Sequence, residues 1–379
     1  MRTAIVSDIH LGSGSDADLL RRPEAFSLLS DAIEGVDRLV LLGDILEFRD
    51  RPFTEAMEMA KPVLAQLAAL ASKEVIVVPG NHDYRLISTW LEGRALKGSR
   101  PLGLAERARI DQWPASEIRD AMAGTKLRFS YPGVWLRDDV YATHGHYLDR
   151  HLTIPTFERL GLALVERTLG LTPTGPDPLA PPDEESSDEP EDYERIGAPV
   201  FAFLYALAQA GANQSHPGGT PTKRIWDSLS SGGGRSAKVR GWLVGSVALP
   251  GAVGVANRLG LGPVRADLSP NAISRSGIDA MSEVVERLEI DAKWVIFGHT
   301  HRRGPLEDED EWTTKNGATL LNTGSWVHSP TLLRSSSKGS AYWPGTVCLI
   351  EDDADPKLVH LLDQWTRGDL NQMISGTEP

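Results

Sequence analysis

The sequence has little cysteine and little positive charge. Both deficits narrow the class of protein to which it can belong. It has 1 cysteine among 379 residues, so no disulfide forms within the chain, and we expect a reducing compartment. It carries 39 lysine and arginine residues against 52 aspartate and glutamate residues, a formal net charge of −13. This balance argues against a protein that clamps DNA or RNA through a basic face, and we expect no nucleic-acid partner.

Long apolar runs are also missing. The least polar segment, Gly241–Ala256, is 16 residues long and contains Pro250, which is too short to span a bilayer. No secretory signal precedes the first predicted strand. We therefore expect a cytoplasmic protein. Cys348 lies in an apolar run and is predicted to be a buried core thiol.

Strand-like runs alternate with helical patterns at both ends of the chain. The early strand candidates are Ala4–Val6, Arg38–Leu42, Val75–Val78 and Val140–Ala142, with helix candidates Pro23–Ile33 and Glu55–Leu70. The late strand candidates are Lys293–Phe297, Thr319–Asn322, Thr346–Glu351 and Leu358–Trp365. Alternation of this kind predicts one α/β (α+β) domain built from residues 1–150 and 289–379.

Residues 151–288 follow a different pattern and are predicted to form a largely helical insertion, a lid or cap. Phe157–Leu169 and Pro199–Ala212 carry apolar residues at helical spacing. The acidic, proline-rich stretch Pro173–Glu194 has few apolar residues, and we expect a flexible loop there.

Five apolar runs end in polar side chains that bind metals. The residues that follow them are Asp8 and His10, then Asp44 and Glu47, then Asn81, His82 and Asp83, then His144 and His146, and last His299 and His301. Because ligand sites in α/β sheets gather beyond the carboxyl ends of strands, these residues are expected to converge.

The chemistry of these side chains is consistent with a pair of ions. Carboxylate, imidazole and carboxamide groups suit manganese, iron, zinc or cobalt, and manganese is the metal we expect. The ligand candidates exceed what one ion needs, and a central aspartate is the natural bridge between two. Ions held about 3.5–4 Å apart bind both the attacking and the leaving oxygen of a phosphoryl displacement.

Together these motifs resemble the signature blocks of calcineurin-like metallophosphoesterases. The blocks are Asp8-x-His10, Gly43-Asp44-x-x-Glu47, Gly80-Asn81-His82-Asp83, His144-Gly145 and Gly298-His299-Thr300-His301, followed by Asn322-Thr323-Gly324-Ser325. The resemblance implies a β-sandwich of two mixed sheets flanked by helices. It also implies that Asp8, His10 and His301 hold one ion, that Asn81, His144 and His299 hold the other, and that Asp44 bridges them.

The resemblance and general chemistry together indicate a mechanism. Two ions activate a bridging hydroxide for in-line attack on phosphorus, and His82 protonates the leaving oxygen. An acidic partner would orient His82. The family places an aspartate three residues after the bridging one, whereas this sequence has Glu47, and Asp83 is the competing partner. His146 departs from the usual aspartate of its block. Arg49, Arg85 and Arg137 are candidate phosphate clamps.

The substrate is less well defined. The motifs around Asp44 and His144 also resemble those of UDP-2,3-diacylglucosamine hydrolases, which cut the pyrophosphate of a lipid-linked nucleotide. Those enzymes usually carry Gly-Asn-Arg-Asp where this chain has Gly80-Asn81-His82-Asp83, and their insertion is smaller. Gly241–Ala256 is then part of a buried helical hairpin that covers the site, a lid for a lipid-like substrate, or a contact with a membrane surface. A nuclease and a non-catalytic interaction module are the competing functions.

Overall fold

Twelve hydrogen-bonded strands form the centre of the computed structural model, which describes residues 1–171, 187–212, 249–259, 261–265, 267, 270–310, 312–329, 333 and 339–375. The strands are β1 (Arg2–Val6), β2 (Arg38–Leu42), β3 (Glu74–Val78), β4 (Ala105–Ala108), β5 (Leu127–Arg137), β6 (Val140–Thr143), β7 (Trp294–Phe297), β8 (Arg303–Gly304), β9 (Trp312–Thr313), β10 (Thr319–Thr323), β11 (Thr346–Glu351) and β12 (Lys357–His360). Their order is β12-β11-β1-β2-β3-β5-β6-β7-β10-β8, with β4 beside β5 and β9 beside β10.

Helices lie along the chain between these strands. In the described residues they are α1 (Pro23–Ala32), α2 (Phe53–Leu70), α3 (Arg85–Lys97), α4 (Ala115–Ala121), α5 (Phe157–Thr168), α6 (Pro190–Ala212), α7 (Leu249–Arg258), α8 (Pro270–Arg287) and α9 (Arg367–Ser375). Short 3₁₀ helices span Leu19–Arg21 and His146–His151. The described elements between residues 151 and 288 are thus helices, and the division of the chain into a domain and an insertion stays a prediction.

The sheet is mixed, and β5 joins its two halves. β1, β2 and β3 run parallel, as do β6, β7 and β10, whereas β11 is antiparallel to β1. The first half of β5 pairs with β3 and β4, and its second half pairs with β6. Apolar side chains from both halves share one cluster, including Ile5, Val40, Ile76, Ala142 and Ile296. The protein is therefore a mixed α/β fold, and its description as two separate sheets stays a prediction.

The strands that carry the motifs lie where continuous apolar runs predicted them. Burial explains this agreement, since these runs are enclosed on both faces and need no alternation of polar residues. Cys348 on β11 is fully buried, and burial raises the pKa of its thiol to about 12. It is the inert core thiol that the sequence predicted.

Some predictions differ from the structure at their edges, and others lie partly outside the described residues. The strand predicted for Leu358–Trp365 covers only Lys357–His360, and turn residues follow it. Helix α6 starts at Pro190, so the end of the stretch predicted as a loop is helical, and residues 173–186 of that loop lie outside the described residues. Of Gly241–Ala256, only the part from residue 249 is described, and it belongs to α7. No helix in the described ranges is long and apolar enough to cross a membrane.

Candidate metal centre

Side chains that bind metals lie just beyond the ends of β1, β2, β3, β6 and β7. Because β1 to β3 are parallel to one another, Asp8, Asp44 and Asn81 emerge at one edge. The side chains beyond β6 and β7 reach the same place, since His144 Nε2 is 3.3 Å from Asp44 Oδ2 and the His299 N–H donates to Asp8 at 3.0 Å. Six of the seven predicted ligands form two groups, and within each group the donor atoms lie within 4.8 Å of one another. The groups are Asp8, His10 and His301, and Asp44, His144 and His299.

One carboxylate oxygen lies between the two groups. Asp44 Oδ2 is 3.7 Å from His10 Nε2 in the first group and 3.3 Å from His144 Nε2 in its own. Asn81, the seventh predicted ligand, joins the second group through its Oδ1, which is 3.2 Å from His144 Nε2. Asp44 therefore lies beside a histidine of each group.

Two of the histidines each use one ring nitrogen for orientation and turn the other toward the centre. His10 Nδ1 is 2.8 Å from the Glu47 carboxylate, and His144 Nδ1 is 3.1 Å from the Leu42 carbonyl oxygen. Metal-binding histidines typically donate their second N–H to a carboxylate or a backbone carbonyl, which fixes the tautomer and the ring plane.

His299 is oriented in the opposite sense. Its Nε2 lies 2.9 Å from the carboxylate of Asp149, and its buried Nδ1 has no hydrogen-bond partner in the part of the chain that the structure describes. A buried, unpaired ring nitrogen is costly unless a ligand takes it. The donor atoms, their grouping and this orphaned nitrogen together fit divalent ions.

The backbone is strained at the ligands. Five of the seven have positive φ angles: Asp8 (50°), His10 (50°), Asp44 (49°), His299 (67°) and His301 (57°). Residues other than glycine adopt this region at a cost, and such outliers concentrate at functional sites. These backbone conformations turn the chain sharply where each strand ends. The turns bring alternate side chains into one pocket.

Two glycines that precede predicted ligands are required because neighbouring side chains lie too close to leave room for a Cβ atom. A Cβ on Gly80 would lie 2.3 Å from Asp44 Oδ1, and a Cβ on Gly298 would lie 2.3 Å from Asp8 Oδ2. In each case the side chain of another ligand occupies the space. These glycines in the motifs therefore reflect the density of packing around the metal centre.

The charges of the pocket strongly affect one another. Burial opposes the charging of His10 and His144, but hydrogen bonding to Glu47 raises the pKa of His10 to about 10, and the charge of Asp44 raises that of His144 to about 9. Burial also opposes ionisation of Asp44, but the charges of His144 and His82 hold its pKa well below the usual range. Buried carboxylates that stay ionised create a potential that attracts cations.

The predicted catalytic side chains make different contacts. Glu47 Oε2 lies 2.7 Å from His82 Nδ1. Asp83 instead accepts hydrogen bonds from the backbone N–H groups of Gly80 (2.6 Å) and Ile45 (2.8 Å). Burial and the charge of Asp44 raise the pKa of Asp83 to about 6. Asp83 thus joins the loops that carry Asn81 and Asp44, while Glu47 is the carboxylate beside His82.

The three arginines predicted as phosphate clamps differ in the residues that they contact. Arg137 pairs with Asp139 and with backbone carbonyls near residue 353, and Arg85 donates to Ser88. Arg49 alone of the three contacts a ligand residue, because its Nη2 donates to the Asn81 carbonyl oxygen at 2.9 Å.

His146 is buried beside His144, and its Nε2 is 3.2 Å from the Tyr131 hydroxyl. Burial and the charges of His144 and His299 hold its pKa well below the usual range. Sequence reasoning did not single out Asp149, which lies five residues after His144. Nothing in a single sequence marks Asp149 as the residue that contacts His299, 150 positions away.

Comparison with known proteins agrees with the site. The family model described as calcineurin-like phosphoesterase matches residues 1–189. None of the curated proteins matches the sequence. Among solved structures, a cold-active protein tyrosine phosphatase aligns with a TM-score of 0.30 and 13% identity, over 94% of this chain and 78% of its own. The cold-active protein-tyrosine phosphatase of a psychrophilic Shewanella species aligns with a TM-score of 0.28 and 13% identity, over 94% and 80% of the two chains. At these TM-scores the likeness supports no conclusion about activity.

The chain belongs to the calcineurin-like phosphoesterase family. It is a metal-dependent hydrolase of phosphoester bonds. The match covers five of the seven predicted ligands, and His299 and His301 lie beyond it but beside the others in the fold.

Proposed function

We propose that this protein hydrolyses a phosphoester with two divalent ions. Asp8, His10 and His301 would hold one ion, Asn81, His144 and His299 the other, and Asp44 both. The observation that carries the proposal is the position of Asp44 Oδ2 between His10 Nε2 (3.7 Å) and His144 Nε2 (3.3 Å). When bound, such ions act as Lewis acids toward the phosphoryl group and lower the pKa of coordinated water.

The donor set also favours a choice of metal. Imidazole, carboxylate and carboxamide groups without a thiolate suit manganese, iron, zinc or cobalt, and we propose manganese. Metal analysis of the protein purified without chelator tests the pair directly. About two ions per chain is the expected result, and a stable protein that takes up one ion or none under excess Mn²⁺ contradicts the proposal.

His82 is the proposed proton donor to the leaving oxygen. Glu47 accepts a hydrogen bond from its Nδ1, which leaves Nε2 to carry a proton toward a substrate. The side chain is 27% exposed, whereas that of His10, which shares the same carboxylate, is 6% exposed. This difference in access supports proton transfer by His82 and metal binding by His10.

A phosphoester of a small molecule is the substrate class we propose first. A lipid-linked pyrophosphate is the second candidate, supported by the motif likeness and by exposed apolar side chains in the helical segment: Phe157 (42%) and Leu164 (57%) on α5 and Phe203 (64%) on α6. Such side chains suit an acyl chain or a membrane surface. The proposed location is then the cytoplasm, with peripheral membrane contact in the lipid-linked case.

A substrate panel with added Mn²⁺ separates these candidates. It contains p-nitrophenyl phosphate, its bis-ester, cyclic nucleotides, a UDP-sugar, a CDP-lipid in detergent and single-stranded DNA. Hydrolysis of one phosphoester class that requires Mn²⁺ and is abolished by chelation supports the proposal. Preference for the CDP-lipid selects the second candidate, and preference for DNA identifies a nuclease. A protein that binds no metal and hydrolyses none of them would be the interaction module.

A further inference from the structure

The two groups of ligands are supported from different parts of the chain. In the first group, Asp8 is held by the Ser7 hydroxyl and the backbone N–H of His299, and His10 by Glu47. These supports lie within residues 1–150 and 289–379. The second group has supports there too, from Asp83, Leu42 and Asp149. The loops that carry Asn81 and His144 differ in that helices α5 and α6 contact them as well.

The first of these supports comes from α5. Glu158 Oε1 lies 3.0 Å from Arg49 Nη1, and Arg49 Nη2 donates to the Asn81 carbonyl oxygen at 2.9 Å. Arg49 is only 9% exposed, and its Nε has no hydrogen-bond partner among the described residues. Besides Glu158 and the Asn81 carbonyl, its guanidinium lies over the ring of Phe201 on α6, 5.9 Å from the ring centroid. A shift of Arg49 would move the backbone of Asn81.

The second support comes from α6, where Glu194 accepts three hydrogen bonds from tyrosines. The hydroxyl of Tyr84 donates to Oε2 at 2.7 Å, and those of Tyr131 and Tyr147 approach Oε1 at 2.5 and 2.6 Å. Glu194 is 8% exposed, so water cannot readily replace these donors.

Each tyrosine links Glu194 to a ligand loop. Tyr84 lies three positions after Asn81, and Tyr147 lies three positions after His144. Tyr131 reaches the same loop through space, because its hydroxyl is 3.2 Å from Nε2 of His146. One carboxylate on a helix of residues 151–288 thus contacts side chains from both the Asn81 loop and the His144 loop.

We propose that Glu158 and Glu194 are positioning residues for the Asn81–His144–His299 ion, so that docking of α5 and α6 sets the occupancy of that ion alone. This inference rests on the proposed two-ion site. It assigns residues 151–288 a task at the metal centre in addition to any role in substrate choice. It also predicts that the two ions differ in affinity. The ion at Asp8, His10 and His301 would stay bound, whereas the other would exchange when α5 and α6 move.

The test is Mn²⁺ binding to the full chain by calorimetry and metal analysis, for the wild type and for Glu158→Gln, Glu194→Gln and Tyr131→Phe. Loss of a supporting contact around a metal ligand typically weakens affinity about 10–100-fold. That loss is expected for the second ion, with the first unchanged. Electron paramagnetic resonance gives an independent signature, because a coupled Mn²⁺ pair should be replaced by a single-ion spectrum at limiting metal.

Arg195→Gln is the matched control. Arg195 lies on α6 next to Glu194, is 56% exposed and pairs only with Asp192 in the described part of the chain. It should bind both ions as the wild type does. If Glu194→Gln fails to fold, Glu158→Gln and Tyr131→Phe decide, because Glu158 is 24% exposed and Tyr131→Phe removes a single hydroxyl.

The outcomes separate the two claims. Equal weakening of both ions, or no weakening in any folded variant, overturns the positioning role and leaves the two-ion site intact. A wild-type protein that binds fewer than two ions overturns both.

Discussion

Replacing Gly80 with alanine should disable the metal centre while leaving the protein folded. The backbone of Gly80 is not left-handed, so alanine meets no conformational penalty there. The added Cβ, however, would lie 2.3 Å from Asp44 Oδ1, 2.6 Å from Asp44 N and 2.7 Å from His144 Cδ2. Ordinary contact begins at 3.4 Å, so the neighbours must move by about 1 Å.

The groups that must move are two of the predicted ligands. Asp44 Oδ1 also accepts a hydrogen bond from the His82 backbone N–H at 2.8 Å, so the shift reaches the proposed proton donor as well. Overpacking of this kind costs about 1–3 kcal/mol of stability. A misplacement of about 1 Å at a reacting site costs about 10²-fold in rate. We therefore expect turnover to fall about 100-fold or more while the chain stays folded.

The assay is kcat for p-nitrophenyl phosphate at saturating Mn²⁺, alongside thermal denaturation and bound metal. The control is Gly93→Ala on α3, where nothing lies within 4 Å of the added Cβ. That change should leave activity intact and raise stability by about 0.5–1 kcal/mol, because glycine disfavours helix interiors. Wild-type turnover and two bound ions in Gly80→Ala would show that Asp44 and His144 do not converge at Gly80.

Asp44→Asn should abolish activity and lower metal content, because the amide keeps the shape but loses the charge that offsets two cations; two bound ions with full turnover would refute the bridge. His82→Ala should lower turnover about 10²–10⁴-fold with metal content nearly intact, and the loss should shrink for p-nitrophenolate as leaving group; an equal loss for all leaving groups would show that His82 only binds phosphate. A Gly/Ser linker in place of residues 174–186 should leave the melting temperature nearly unchanged, because the composition there cannot offset ordering. Extending the replacement through Glu194 should lower it, because that carboxylate is buried under three tyrosine hydroxyls.

The sequence predicted the ligand-bearing strands because their signal is local. β1, β2 and β3 are continuous apolar runs that end at polar motifs, and buried parallel strands have this pattern. The carboxyl ends of parallel strands lie at the same edge of a sheet. The convergence of the residues that follow these three strands could therefore be predicted without knowing the register. The structure places Asp8, Asp44 and Asn81 at that edge.

β5 was not predicted, and its composition explains why. Residues Leu127–Arg137 include Pro132 and Gly133, which usually argue against a strand interior. In the structure these residues stand where β5 leaves β3 and β4 and begins to pair with β6. Proline and glycine are tolerated there because the partner strand changes.

The start of α6 could not be predicted for a different reason. Composition indicates disorder up to Glu194, yet that residue is buried and receives hydroxyls from Tyr84, Tyr131 and Tyr147, which lie 110, 63 and 47 positions away. The partners that stabilise Glu194 are distant in sequence. A prediction from the composition of a local stretch therefore takes none of them into account. The same limit hid Asp149 and Glu158, whose contacts with His299 and Arg49 exist only in the fold.

Glu47 stands where the resembled family has the shorter aspartate, and its carboxylate contacts two histidines for which we propose different roles. Its Oε2 lies 2.8 Å from His10 Nδ1 and 2.7 Å from His82 Nδ1, while Oε1 accepts the backbone N–H of Arg49 at 2.7 Å. Both imidazoles are therefore fixed with Nδ1 toward the same carboxylate, and each has only Nε2 left for chemistry. For His10 that nitrogen faces Asp44 and His301, which suits a metal ligand. For His82 the side chain is partly exposed, which suits contact with substrate. The different tasks that we propose for the two histidines thus depend on where Nε2 points, since a single carboxylate contacts both rings.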